Sequence, residues 1–169
     1  MDDLIHLVNG WSDQQFMKEF GSLFEESAWI AERAAGLRPF CSWEEMMQVM
    51  TKQVLDSEYK EKLKLLRKHP DLGARIRMST SSVQEQAGAG LDSLTPEQYN
   101  ELKQLNERYT KQFGFPFILA VKGHTKGSIF DSIRQRLERN EQEEFVTALN
   151  EVFKIATIRL QQWMTERAK

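Results

Sequence analysis

The sequence predicts an all-α fold, one compact domain of about eight helices. Apolar residues recur three and four positions apart along nearly the whole chain. No long run alternates apolar with polar residues, so a half-buried strand has no support. Helix start and stop residues punctuate the chain at helix-length intervals. The chain has 169 residues, and one domain over 1–169 is expected. A chain of this size buries roughly 70 % of its unfolded surface.

In chain order, a short N-terminal helix carries His6, which is expected to be structural or exposed. Ser12-Asp13 can cap a helix with Phe16, Phe20 and Leu23 on one face. Ala28 to Ala35 forms the next, stopped at Gly36. Ser42, with Glu45 three residues on, starts a helix whose face holds Met46, Met47, Met50 and Val54. Those methionines read as core. Ser57 starts another helix, to about Lys68, with Tyr59, Leu63 and Leu66 inward. Pro70 ends it, because proline disfavours helical geometry at the residue before it. His69 is thereby placed at a helix C-terminus, where the dipole favours imidazolium.

Ser79 to Ala89 reads as a short helix closed by Gly88-Ala89-Gly90. Thr95-Pro96-Glu97-Gln98 is a strong start signal for a helix to about Phe113, with Leu102, Leu105 and Tyr109 inward and Gly114 as its stop. Phe115 to Val121 is an apolar run too short to assign to helix or strand. Lys122 to Gly127 reads as a loop holding a solvated His124. Ser128 to Arg139 is amphipathic through Ile129, Ile133 and Leu137. Asn140 caps a last helix to about Glu166, burying Phe145, Leu149, Phe153, Ala156, Leu160 and Trp163.

Composition removes several function classes. A net charge of −2 speaks against general nucleic-acid binding. No stretch approaches the ~20 apolar residues of a membrane-spanning helix. The acidic start, Met1-Asp2-Asp3-Leu4, is not a secretory signal, and Arg167-Ala168-Lys169 is not a peroxisomal address. Cys41 is the single cysteine, so no intramolecular disulfide or thiolate cluster for zinc can form. A reducing compartment, the cytoplasm, is expected. The chain stops directly after a long helix, an ending open to a whole protein and to the N-terminal part of a longer fused chain alike.

Chemistry concentrates in a few places. His69-Pro70-Asp71-Leu72-Gly73 sets a histidine at a helix break stiffened by proline. Histidine titrates near neutral pH, so a fixed histidine near a fixed carboxylate is a natural acid/base pair. Ser82, Glu85 and Gln86 are three and four apart and share one helix face. Arg159 stands among Ile155, Ala156, Ile158 and Leu160, either reaching to the surface or holding an anion. Each has an ordinary alternative: a helix-terminal histidine, a solvated helix face, a snorkelling arginine. No metal is expected, since His-Glu-x-x-His is absent and His69 with Asp71 is a poor ligand set.

Taken together, these motifs resemble the 2-oxo-4-hydroxy-4-carboxy-5-ureidoimidazoline (OHCU) decarboxylase family, which completes the conversion of urate to allantoin. The resemblance spans roughly Leu23 to Trp163. It is carried by His69-Pro70-Asp71-Leu72, by Ser82 with Glu85-Gln86 and Ala89-Gly90-Leu91, and by Leu105-Asn106-x-x-Tyr109. Phe113-Gly114-Phe115-Pro116-Phe117-Ile118 and Lys154-Ile155 with Leu160 around Arg159 complete it. The family implies an all-helical, cofactor-independent decarboxylase of a small molecule. It implies His69 and Glu85 as catalytic, and Pro70, Ser82, Gln86, Phe117, Ile118 and Arg159 as substrate-binding. Many relatives continue past Phe-Pro-Phe with alanine and arginine, where Ala120-Val121-Lys122 stands here, so contacts after Ile118 are left open. The resemblance has room for a homodimer and for a urate oxidase fused to the chain or working beside it. A helical protein-binding module and a same-fold enzyme acting on another ureide are the rival readings.

Overall fold

The structure, a computed structural model, describes residues 2–73 and 80–169, with side chains from 3–73 and 84–169. Among the described residues every regular element is a helix, and there is no strand. The helices are α1 (Asp2–Asn9), α2 (Asp13–Phe20), α3 (Trp29–Ala35), α4 (Trp43–Leu55), α5 (Tyr59–Arg67), α6 (Thr80–Gly88), α7 (Pro96–Phe113), α8 (Lys126–Leu137) and α9 (Glu141–Arg167), with a short 3-10 helix at Leu91–Ser93. The expected all-α class holds. Contacts divide the chain into two compact units, Met1–Lys68 with Ile155–Lys169, and His69–Lys154.

In the first unit α3 packs on α2 and α4, and α4 on α5. Ser12 accepts from the Gln15 N–H and Ser42 from the Glu45 N–H, so both expected caps form. Ser57 does not start α5. Its hydroxyl donates to the Val54 carbonyl at 2.5 Å and closes α4, leaving Glu58 as the first residue outside α5. The face α5 buries also differs from expectation: Leu65 and Leu66 are covered, Leu63 is half-buried and Tyr59 is 60 % exposed. Arg38 serves as a shared terminator. Its guanidinium donates to the carbonyls of Ala35 (2.8 Å), Trp11 (2.6 Å) and Val8 (3.3 Å), satisfying acceptors that helix ends leave open. Phe20, Trp43 and the half-buried Trp163 form an aromatic cluster, with Trp163 donating to Glu19 at 2.8 Å.

In the second unit α7 packs on α8, and α6 on the 3-10 helix. Thr95 and Gln98 form a reciprocal capping box at the start of α7. Gly114 ends it at φ 81°, left-handed backbone that glycine adopts without a Cβ penalty. α8 begins two residues earlier than periodicity suggests. Thr125 and Ser128 cap it reciprocally, and His124 bonds Ser128 at 2.9 Å, so the histidine is tied to the helix start. Asn140 caps α9, as expected, through the Glu143 N–H at 2.9 Å.

Candidate active site

The second unit assembles around one stripe of α7, made of Leu102, Asn106, Tyr109 and Phe113. These positions lie four, three and four apart, which is one helix face. Leu105, expected inward, is half-buried, and Asn106 takes the buried place beside it. The stripe meets two of the expected site segments.

The first is the turn after α5. Lys68 caps that helix, and Lys64 and Arg67 occupy its last turn. His69 follows and is 7 % exposed, with Pro70 half-buried. Asn106 donates from Nδ2 to the Leu72 carbonyl at 2.9 Å. The Gly73 N–H donates to Gln86 Oε1 at 2.8 Å, bringing α6 onto the same turn. Gly73 has φ 78°, and a Cβ there would lie 3.0 Å from the Leu102 side chain, so both conformation and space require glycine. Glu85, beside Gln86, is half-buried. Ser82 lies in α6, but its side chain falls outside the described residues.

Beside the turn is a cleft of about 180 Å³, lined in part by Asp71, Gly73, Lys103, Asn106 and Glu107. Partial burial, and then the neighbouring Glu107 carboxylate, raise the Asp71 carboxyl above its ordinary value of 3.8.

The second segment is the apolar run after Gly114. It is neither helix nor strand, yet Phe115 to Leu119 are all buried. Irregular backbone can be buried only if its polar groups find partners. Arg136 of α8 supplies one by donating from Nη1 to the Ile118 carbonyl at 2.6 Å. Its Nε donates to Glu144 of α9 at 2.7 Å, and the Tyr109 hydroxyl donates to the same carboxylate oxygen at 2.5 Å. The guanidinium also lies 4.4 Å from the centre of the Phe117 ring, which meets Tyr109 edge-on. Burial, and then the bond to Glu144, push the Tyr109 phenol well above its ordinary value of 10.0.

Arg159 belongs to the first unit. Its Nη2 donates to Glu25 at 2.7 Å, and its Nη1 to the Leu23 carbonyl at 3.4 Å. Both partners of this ion pair are buried. The arginine is therefore an internal, charge-paired group, and snorkelling to the surface is excluded. The next residue, Glu26, has φ 45°, an uncommon conformation for a residue with a side chain.

Periodicity missed Asn106, Arg136, Glu144 and Glu25, because it treats every polar residue as outward. The available signal was position: Asn106 stands on the apolar stripe of α7, and Arg136 lies three residues after Ile133 and beside Leu137 on α8. Among the described residues no group of three or more His, Cys, Asp or Glu could hold a metal ion.

Comparisons with known proteins agree on one family. The OHCU decarboxylase family profile matches residues 9–161. A 2-oxo-4-hydroxy-4-carboxy-5-ureidoimidazoline decarboxylase of Haloferax volcanii is 45 % identical over 153 residues, covering 90 % of this chain and 91 % of the relative. The uric acid degradation bifunctional protein PucL of Bacillus subtilis is also 45 % identical, over all of this chain but only 33 % of its own length. Among solved structures, the crystal structure of (S)-allantoin synthase superposes with a TM-score of 0.75 at 28 % identity, covering 94 % of this chain and 53 % of that one.

Proposed function

The chain belongs to the OHCU decarboxylase family, and from that premise we propose that it converts 2-oxo-4-hydroxy-4-carboxy-5-ureidoimidazoline to (S)-allantoin. The observation that carries the proposal is the buried His69 at a turn fixed from both α6 and α7. A general acid/base must be held in place before its pKa matters.

The substrate brings its own electron sink. Its carboxylate and hydroxyl share a ring carbon next to a C=N carbon. When the bond to the carboxylate breaks, carbon dioxide leaves and the electron pair becomes a C=C bond. The former C=N pair takes a proton at nitrogen. The resulting enol then ketonises: the hydroxyl proton leaves, and the neighbouring carbon gains a proton on one face. His69 moves these protons, and Glu85 orients the imidazole or the ring N–H groups. Ser82 and Gln86 hold the ureido and ring amides. Pro70 shapes the turn. The Phe117 ring is wholly packed on Tyr109 and Arg136, so Phe117 and Ile118 contribute through main chain. The family resemblance makes Arg159 a substrate-binding residue, and within the first unit its guanidinium is paired with Glu25.

No helix among the described residues is long and apolar enough to cross a membrane. With Cys41 a free, exposed thiol, we place the protein in the cytoplasm. A urate oxidase is the natural working partner, given the bifunctional relative from Bacillus subtilis, and a homodimer fits the reading as well.

Purified protein mixed with freshly generated OHCU should speed its disappearance and yield optically active allantoin, followed by circular dichroism. The rate should survive exhaustive chelation. Racemic allantoin formed at the uncatalysed rate would overturn the proposal.

A further inference from the structure

The two hydrogen bonds at the turn after His69 hold opposite edges of a single peptide group. The Leu72 carbonyl accepts from Asn106, and the Gly73 N–H donates to Gln86. A trans peptide is planar and stiff, so fixing both edges fixes its orientation. The bonds run in one direction, from the Asn106 amide through the peptide to the Gln86 carboxamide, and such chains strengthen their members.

The direction has a consequence for Gln86. An N–H can only donate, so the carboxamide atom facing Gly73 must be oxygen. The opposite end of the buried Gln86 amide is then the NH₂ group, a pure donor. We propose that Asn106 is a positioning residue which, by holding the Leu72–Gly73 peptide, sets the Gln86 carboxamide to donate to a carbonyl oxygen of the ureide. The proposal rests on the decarboxylase reading for the identity of the ligand, but the grip itself does not.

Asn106 is well placed for this task. It is buried on the α7 stripe, between Leu102, which closes on Gly73, and Tyr109, which seats Phe117. The same peptide lies three residues beyond His69, and proline's fixed φ at position 70 removes one of the few intervening torsions. Loss of the bond therefore loosens both the donor and the turn that carries the acid/base group.

The test is a double-mutant cycle between Asn106→Ala and Gln86→Ala, read as kcat, KM and (S)-allantoin affinity, with hydrogen exchange at the Gly73 amide. Asn106→Ala should weaken affinity about tenfold, the size of one hydrogen bond. The same change in the Gln86→Ala background should cost less than about twofold, because coupled residues are non-additive. Exchange of the Gly73 amide should accelerate in both single variants. Additive effects, or unchanged exchange and affinity in folded Asn106→Ala, would overturn the proposal. If Asn106→Ala does not fold, Asn106→Asp decides. A protonated carboxyl can donate to the Leu72 carbonyl and an ionised one cannot, so its activity relative to wild type should recover as pH falls. A flat ratio would sink the idea. Wild-type protein without decarboxylase activity would refute the reaction, while Gly73 exchange would still show whether Asn106 and Gln86 hold the peptide.

Discussion

His69 is the residue whose two readings differ most in consequence. A histidine that only completes a helix end can be replaced by asparagine with little change in rate. A histidine that moves protons cannot, because asparagine keeps a hydrogen-bonding shape but does not titrate. General acid/base groups typically contribute about 10²–10⁴-fold, so His69→Asn should lower kcat by that order while allantoin binding is largely kept. Steady-state kinetics beside a thermal melt separates the outcomes. Near-full turnover in a folded variant would return His69 to the helix-end role. Arg159 depends on a distant partner. An internal arginine within an apolar helix can hold an anion, and here the anion in hand is Glu25, 134 positions away in sequence. No local pattern could have named that partner.

At the scale of elements, the buried run after Gly114 depends on side chains from three helices. Tyr109 on α7, Arg136 on α8 and Glu144 on α9 converge, and Arg136 supplies the partner that the Ile118 carbonyl needs. Glu144 is 0 % exposed, so its loss strands a guanidinium in the interior. Removing one member of a buried pair costs about 3–5 kcal/mol, whereas replacing both by apolar groups is often neutral. Glu144→Ala should therefore lower stability in urea by about that amount. A double variant with Arg136→Met and Glu144→Leu should recover much of it. Equal losses in the single and double variants would show that a stranded guanidinium is not what Glu144→Ala costs. Apolar spacing accounts for only part of what α9 buries. Leu149, Ala156 and Leu160 are buried as expected, while Phe145, Phe153 and Trp163 are half-buried. Glu144, Ala148, Glu151, Val152, Ile155 and Arg159 complete the covered face. Three of those six are charged, and an apolar count passes over them.

For the whole molecule, Asp71 links the candidate site to stability. Its folded-state pKa is raised, first by burial and then by Glu107. A raised acid binds its proton more tightly when folded, so its contribution is fully present below the ordinary value of 3.8 and is lost as pH rises through the folded value. Asp71→Asn removes that titration. Its melting temperature should match wild type in strong acid and exceed it at neutral pH, with the gap opening as pH rises past the raised value. Melting curves across that range check the sign. A wild type that gains on the variant with rising pH would mean that Asp71 has a favourable partner as an anion. The all-helical class, most helix starts and the residues that carry the family resemblance are legible before the chain folds. Those depend on local causes: caps, proline and glycine punctuation, and the spacing of apolar side chains. That Ser57 closes α4, that Asn106 and Gln86 hold one peptide, and that Glu25, Arg136 and Glu144 are interior charges emerges from packing alone. A buried polar group is tolerated only because a distant partner meets it, and the identity of that partner is a property of the fold, not of the neighbouring sequence.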